Sequence, residues 1–374
     1  MGRHIYVHIP FCEAKCPYCS FFSVADKDHY GEYFDALKKE IESAPLNSAD
    51  DHDEIDTVYF GGGTPSVPDS DHIKGALKAV LDHFNIDPGN AEITIEANPH
   101  SLTADKTGAY LAMGFNRISM GIQSLHDDTL KLLGRLHNRE GALGALKIAR
   151  EAGFENISGD LIIGVPGQTT EEVIEDAQTL IDCGCRHISS YSLSIEEGTP
   201  FERRYGKSLD DPDIQEAERA MYHGLRDFLN RNGFVPYEIS NSSLKGYESR
   251  HNSAYWRAVE YYGFGAGSHG YIGGQRYGHE CDIRKYIKAP DQTIVEEVLT
   301  ESDKMTEYAM LMLRTSSGLT DEGFIKRFGR TIPEDIRKIM KILVDRKLCD
   351  SIDSGIRLSR YGLDYANEAF MEFL

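Results

Sequence analysis

The sequence has few of the features that mark membrane-spanning, exported or nucleic-acid-binding proteins. Its apolar runs are far shorter than the roughly 20 residues that a membrane-spanning helix requires. Lys and Arg number 40 against 60 Asp and Glu, giving a net charge of −20. A nucleic acid is therefore not expected as the main partner, because phosphate binding needs clustered basic residues. The cysteines number seven, which is odd, and no charged-then-apolar leader precedes the first predicted strand. We therefore expect free thiols in the cytoplasm.

Strand-like and helix-like stretches alternate over the first two-thirds of the 374 residues. Because β-then-α units imply a parallel sheet with right-handed crossovers, an α/β fold is predicted. No G-x-G-x-x-G opens the first helix, which disfavours a dinucleotide-binding fold, and a partial (β/α)6 TIM-like barrel fits better. A polar, proline-containing stretch at 199–213 predicts a crossover loop, and a glycine-rich stretch at 263–274 predicts a turn region. The predicted strands span residues 4–9, 57–60, 92–97, 117–122, 157–165 and 187–195.

The hydrophobic pattern changes near Pro290. Three predicted helices, two short strands and a last helix at 361–370 follow, which is typical of a winged-helix-like α+β domain. We therefore predict a barrel domain over 1–290, including a C-terminal extension of the barrel, and a small domain over 291–374. Residues 301–374 contain 12 basic and 13 acidic residues. A DNA-binding wing is normally basic, so a structural or docking role is favoured.

Three cysteines follow the first predicted strand. Cys12, Cys16 and Cys19 have the spacing C-x3-C-x2-C. Three thiolates on one loop can hold three irons of a [4Fe–4S] cluster and leave the fourth iron open to a small ligand. A zinc site would need a further ligand, usually from a second C-x2-C pair, and disulfide pairing would leave one thiol over. An iron–sulfur cluster is therefore the favoured interpretation.

Polar residues and glycines recur where the predicted strands end. In β/α barrels the reactive residues gather at the C-terminal ends of the strands. One site at that end of the barrel is therefore expected. It would combine Cys12, the glycines at 61–63, Glu96, Gln123, Asp160 and Ser194.

The cysteine motif, with Tyr18 before the third cysteine, resembles that of the radical S-adenosylmethionine (SAM) superfamily. In that superfamily the open iron binds the amine and carboxylate of SAM, whose reductive cleavage yields a 5′-deoxyadenosyl radical. Residues 6–12, 61–65, 95–99, 116–124 and 159–169 and the C-terminal module resemble the branch that contains the oxygen-independent coproporphyrinogen III oxidase (HemN) and the haem chaperone HemW. The resemblance implies SAM contacts at Tyr6, Tyr18 (through its backbone), Gly62, Gly63, Thr64, Glu96, Gln123, Arg135, Asp160 and Ser194.

Glu96 and Asp160 are carboxylates in otherwise apolar strands. A buried charge needs a partner, and two interpretations stay open. They form salt bridges that close the barrel, for example with Arg117 or Arg135, or they bind the ribose hydroxyls and carboxylate of SAM.

Residues 251–256 read His-Asn-Ser-Ala-Tyr-Trp and hold the only tryptophan of the chain. They are similar to the H-N-x-x-Y-W signature of the haem chaperones in this branch. A neutral imidazole can ligate haem iron, and flat aromatic rings can contact a macrocycle. We expect His251 to contact haem, with His269 as the second candidate. The alternative is an amphipathic segment whose aromatic side chains pack on the barrel.

Two departures from the oxidase favour the chaperone. The oxidase has a further cysteine where this sequence has Phe21, and a long extension before its first strand where only three residues precede here. The expected function is to bind a [4Fe–4S] cluster, SAM and haem and to transfer haem to an acceptor protein, such as a respiratory or membrane-associated haem protein. The alternatives are radical decarboxylation of the propionate side chains of coproporphyrinogen III and, in another class, a regulatory DNA-binding module.

Overall fold

The computed structural model describes residues 2–45, 54–206 and 211–374. Six strands pair in parallel, each with the next along the chain. This confirms the six predicted β-then-α units. The strands are β1 (Arg3–Ile9), β2 (Ile55–Gly62), β3 (Glu92–Ala97), β4 (Arg117–Gln123), β5 (Asn156–Ile163) and β6 (His187–Ser192).

Helices follow the strands and cover the outer face of the sheet. Their ends are encoded locally: Thr169 and Glu172 form a capping box at the start of one helix, and Gly114 and Gly153 end two others in the left-handed conformation. The predicted loop at 199–213 contains a short helix instead, and residues 207–210 lie outside the described part. The helices are α1 (Tyr30–Ser43), α2 (Ser70–His83), α3 (Ala104–Met113), α4 (Asp127–Leu132), α5 (Arg139–Ala152), α6 (Thr170–Asp182), α7 (Pro200–Tyr205) and α8 (Pro212–Arg231), with a 3₁₀ turn at Pro99–Ser101.

Further strands extend the sheet at both ends. On one side β8 (Asn241–Ser243) pairs antiparallel with β6, and β7 (Val235–Pro236) pairs with β8. On the other side β9 (Tyr261–Phe264) pairs in parallel with β1. The order is β12-β11-β10-β9-β1-β2-β3-β4-β5-β6-β8-β7, so the fold is a partial, open barrel. The last strands are β10 (His269–Ile272), β11 (Gln275–Gly278) and β12 (Ile294–Val298).

The two faces of the parallel strands differ in chemistry. On β1, Ile5 and Val7 are fully buried in the core formed with the helices, and each such burial stabilises the fold by about 1.5–3 kcal/mol. His4 and Tyr6 alternate with them and face the barrel interior. Polar pairs recur in register along that inner face, unlike the branched apolar layers usual in closed barrels. These pairs are His4–Thr57, Tyr6–Tyr59, Glu96–Ser119, Ser119–Ser158, Ser158–His187 and Asp160–Ser189.

The C-terminal part forms a second hydrophobic cluster, with buried residues between Tyr308 and Phe373. Its strands pair antiparallel in the order β13-β15-β14, giving the winged-helix-like arrangement. The predicted helix at 361–370 is two helices separated at Tyr365. The domain boundary at 290/291 stays a prediction. The elements of this part are β13 (Leu319–Thr320), β14 (Cys349–Ile352) and β15 (Gly355–Leu358), with α11 (Glu301–Met312), α12 (Asp321–Phe328), α13 (Glu334–Asp345), α14 (Arg360–Asp364) and α15 (Ala366–Met371). The helices α9 (Arg250–Trp256) and α10 (Ile283–Lys288) precede it along the chain.

Among the described residues, no helix combines the length and the apolar character needed to cross a membrane.

Candidate functional site at the strand ends

The loop between β1 and α1 carries Cys12, Cys16 and Cys19, all as free thiols. Cys12 lies 3.6 Å, Sγ to Oγ1, from Thr64 at the end of β2, and the N–H of Cys19 donates to the carbonyl of Cys16. Burial raises the pKa of Cys19. Within residues 2–45, 54–206 and 211–374, no three His, Cys, Asp or Glu side chains are grouped as ligands of a single metal ion.

Arg135 contacts this loop from the segment after α4. Its Nη1 donates to Cys16 Sγ at 3.5 Å, and its Nη2 donates to the carbonyl of Gly121 at 2.9 Å. Its third partner is Asn98, which in turn donates to Thr64. A guanidinium beside a thiolate stabilises the negative charge of that thiolate. The donor set of three free thiols next to one fixed cation therefore fits an iron–sulfur cluster.

The glycine turn after β2 lies next to the cysteine loop. The N–H groups of Gly63 and Thr64 donate to the carbonyls of Ile9 and Phe11, so the turn is hydrogen-bonded to the segment that leads to Cys12. Gly62 has φ +106°, and a Cβ there would lie 2.4 Å from Cε1 of His8. Only glycine combines this backbone conformation with so close an approach. The sequence therefore places main-chain groups, rather than side chains, at this side of the site.

Glu96 and Asp160 face the barrel interior on β3 and β5. Glu96 accepts hydrogen bonds from the Tyr59 hydroxyl at 2.7 Å and from the N–H of Gly62 at 3.2 Å. Asp160 accepts from three serine hydroxyls, including that of Ser189 at 2.7 Å. Burial is the main cause that raises the pKa of both carboxyls, that of Glu96 to about 7. Among the described residues, neither carboxylate forms an ion pair with an arginine, so both keep polar capacity for a ligand.

Gln123 ends β4 in an unusual backbone conformation. Its φ is +67°, and the pairing with β5 shifts register between Gly121 and Gln123. A non-glycine residue with positive φ costs about 1–3 kcal/mol and is concentrated at functional sites. The side-chain amide turns back over Gly121, where a Cβ would lie 2.9 Å from Gln123 Nε2. Gln123 and Arg135 thus both lie next to Gly121.

Tyr6, Tyr18 and Ser194 take different places around this group. The Tyr6 hydroxyl hydrogen-bonds His8 Nδ1 at 3.0 Å inside the barrel, whereas Tyr18 stays on the cysteine loop with its ring edge toward Phe201. Ser194 is exposed beyond the end of β6, and its hydroxyl donates to Glu196 at 2.6 Å. The structure therefore brings the predicted residues together around the strand ends, with Ser194 at the rim. Their contacts with SAM stay predictions.

His251 lies at the opposite end of the barrel. Helix α9 closes that end, and the His251 side chain is 1% exposed. Its Nδ1 shares a hydrogen bond with Thr57 at 2.7 Å, its Nε2 shares one with Tyr255 at 3.1 Å, and its main-chain N–H donates to Glu92 at 3.1 Å. Burial lowers the pKa of His251 well below its usual value. Both ring nitrogens are engaged, so ligation of haem iron by His251 would require one of these hydrogen bonds to break. Haem contact at His251 stays a prediction.

A buried arginine near the closed end was not singled out as a site residue from the sequence. Arg117 is 1% exposed on the inner face of β4, and its Nε and Nη1 have no hydrogen-bond partner among the described residues. The negative charges of Glu92 and Asp160 favour its charged form. The signal that could have found it is the strict alternation of polar and apolar residues on β4.

The chain is similar to known proteins over its whole length. The family profile of the radical SAM superfamily matches residues 6–180. Heme chaperone HemW of Bacillus subtilis is 34% identical over 100% of this chain and 99% of its own, and that of Lactococcus lactis is 34% identical over 99% and 96%. The structure of coproporphyrinogen III oxidase (HemN) from Escherichia coli has the same fold, with a TM-score of 0.83 at 22% identity, over 100% of this chain and 90% of that one. The chain therefore belongs to the HemW family of the radical SAM superfamily.

Proposed function

We propose that this protein is a haem chaperone that binds a [4Fe–4S] cluster and SAM and hands haem to an acceptor protein. The observation that carries the proposal is the whole-length similarity to proteins named heme chaperone HemW. The free thiols on one loop and the polar barrel interior support it. The acceptor is proposed to be a haem protein, respiratory or membrane-associated, and the location to be the cytoplasm.

In this proposal the cysteine loop holds the cluster, which would supply an electron for cleavage of SAM. Arg135 lies beside the cluster ligands, because its Nη1 already donates to the sulfur of Cys16. Gly62 and Gly63 offer main-chain groups at the end of β2 without a side chain in the way. The hydroxyl network around Asp160 orients its oxygens toward the interior. These residues bind and orient a polar ligand.

The competing function is the radical decarboxylation of coproporphyrinogen III. The observation that favours it is the fold shared with the HemN structure. The observation that disfavours it is Phe21. Its ring, 68% exposed on the cysteine loop, occupies the position where the oxidase has a further cysteine, and a phenyl ring can neither ligate metal nor transfer a hydrogen atom.

A single anaerobic experiment separates the two functions. The reconstituted full chain receives SAM, a strong reductant and coproporphyrinogen III, and 5′-deoxyadenosine and decarboxylated product are quantified. A parallel sample receives haemin and is then mixed with an apo-haem protein as acceptor. The proposal expects haem transfer and no decarboxylated product. Product formed over multiple turnovers would identify an oxidase and overturn the chaperone assignment.

A further inference from the structure

His269 begins β10 at the open mouth of the barrel. Its side chain is 59% exposed. It follows a turn that packs against the cysteine loop, since a Cβ on Gly267 would lie 2.7 Å from the ring of Phe22. An exposed imidazole therefore lies beside the loop proposed to hold the cluster.

A carboxylate fixes the orientation of this imidazole. His269 Nδ1 donates to Glu296 Oε2 at 3.0 Å, and Nε2 has no hydrogen-bond partner within the described ranges. Gly278, paired with His269 in the sheet, leaves the necessary room: a Cβ there would lie 2.6 Å from Glu296 Oε1 and 3.2 Å from His269 Nδ1. Metal-ligating histidines commonly donate their other ring N–H to a carboxylate, which fixes the tautomer and raises ligand basicity.

Two other histidines, the predicted ligand and a second exposed one, are less suited to bind iron. His251 is buried and uses both ring nitrogens. His100 is the other exposed histidine of the described ranges, with a side chain 50% exposed. Nε2 of His100 contacts Glu13 at 3.3 Å, so only Nδ1 is available to bind iron. Nδ1 lies next to the Cβ and main chain of His100, which hinder it from approaching the centre of a flat macrocycle.

The loop that packs against the turn before His269 carries an exposed apolar ring. Phe21 is 68% exposed on the cysteine loop, next to the Phe22 ring that packs on Gly267. An exposed phenyl ring is suited to stack on a porphyrin face. The ligand atom and the aromatic ring thus come from two segments that pack against each other.

We propose that His269 is the axial ligand of haem iron in this protein, oriented by Glu296. The proposal deepens the chaperone function and rests on it. Haem bound at this position would lie at the mouth of the open barrel, accessible to an acceptor protein without any opening of the closed end.

The test is a haemin titration of the cluster-loaded full chain, followed by visible absorption and EPR spectroscopy. His269→Ala should weaken haemin binding more than tenfold and lose the EPR signal of a histidine-ligated ferric haem, and added imidazole should restore that signal. Glu296→Gln should retain histidine ligation with about tenfold weaker binding, because partners of metal ligands contribute roughly 10- to 100-fold in metal affinity. His100→Ala is the matched control, as an exposed histidine paired with a glutamate, and should behave as wild type.

Two results would overturn this assignment, and they are distinguishable. If the wild type binds haemin and His269→Ala gives the same spectrum and affinity, the ligand lies elsewhere while the chaperone function stands. If the folded, cluster-loaded wild type binds no haemin, the proposed function falls together with the ligand assignment.

Discussion

Glu96→Gln probes whether the barrel interior holds this carboxyl in its neutral form. Burial raises the pKa of Glu96 from an ordinary value of 4.5 to about 7, and the charge of Asp160 adds to the increase. The hydroxyl of Tyr59, the N–H of Gly62 and the charge of Arg117 act in the opposite direction. Because desolvation outweighs them, the folded protein takes up a proton at a pH where the unfolded chain has released it.

The sign and size of the effect follow from these two pKa values. The stability that the neutral carboxyl contributes is fully present below pH 4.5 and is lost as the pH rises through 7. A pKa difference from 4.5 to about 7 corresponds to roughly 3 kcal/mol. Glutamine is neutral at every pH and has nearly the same shape. The free energy of unfolding of Glu96→Gln minus that of wild type should therefore increase by about 2–3 kcal/mol from pH 5 to pH 8.

Thermal unfolding at several pH values measures this gain. A large domain shifts its Tm by about 2 °C per kcal/mol, so the Tm difference between variant and wild type should grow by roughly 5 °C over this range. Glu155→Gln removes the same charge from an exposed position and corrects for the general effect of net charge. If the Tm profiles of wild type and both variants run parallel from pH 5 to pH 8, Glu96 is not held neutral and the reasoning fails.

Three further predictions use four variants. Cys16→Ala should lose the brown cluster chromophore, and a full iron and sulfide content in that variant would contradict the cluster assignment. Gly167→Ala, at φ +87° with open space around it, should cost roughly 1–2 kcal/mol of stability. Gly62→Ala should cost more, because its Cβ would also lie 2.4 Å from the His8 ring; equal Tm losses would contradict the close approach. Thr57→Val leaves two buried imidazole nitrogens without their partner and should lower stability by about 1–3 kcal/mol, measured as a lower Tm.

The six parallel strands were predictable from the sequence because the side chains that face the helices must be apolar. This requirement gives each strand a recognisable pattern. At 263–274, where glycines predicted a turn region, the structure has turns at 265–267 and 273–274. The sequence missed β10 between these turns and the end of β9 at Phe264. The physical reason is packing. A Cβ on Gly263 would lie 1.8 Å from the carbonyl oxygen of His269, and one on Gly270 would lie 2.2 Å from the ring of Tyr277. These glycines permit close strand crossing, a requirement that local propensity does not reveal.

The environment of His251 was likewise beyond local reasoning. Its partner Thr57 lies 194 residues away, and Glu92 lies 159 residues away. The motif at 251–256 identifies these residues as a candidate site, but it does not indicate that α9 closes the base of the barrel. By contrast, the cysteines and Glu96 were identifiable because short spacing and an isolated carboxylate in an apolar strand are themselves local signals.

The order of the strands has a consequence for synthesis of the chain. β1 leaves the ribosome long before β9, yet the two strands are neighbours in the sheet. A nascent chain that ends before α9 has an unpaired edge at β1 and polar groups at the barrel base, Thr57 and Glu92, that lack their later partners. Closure of the barrel base is thus a late event in biogenesis. Any truncation that removes β9 withdraws support from the first strand and from the cysteine loop that follows it.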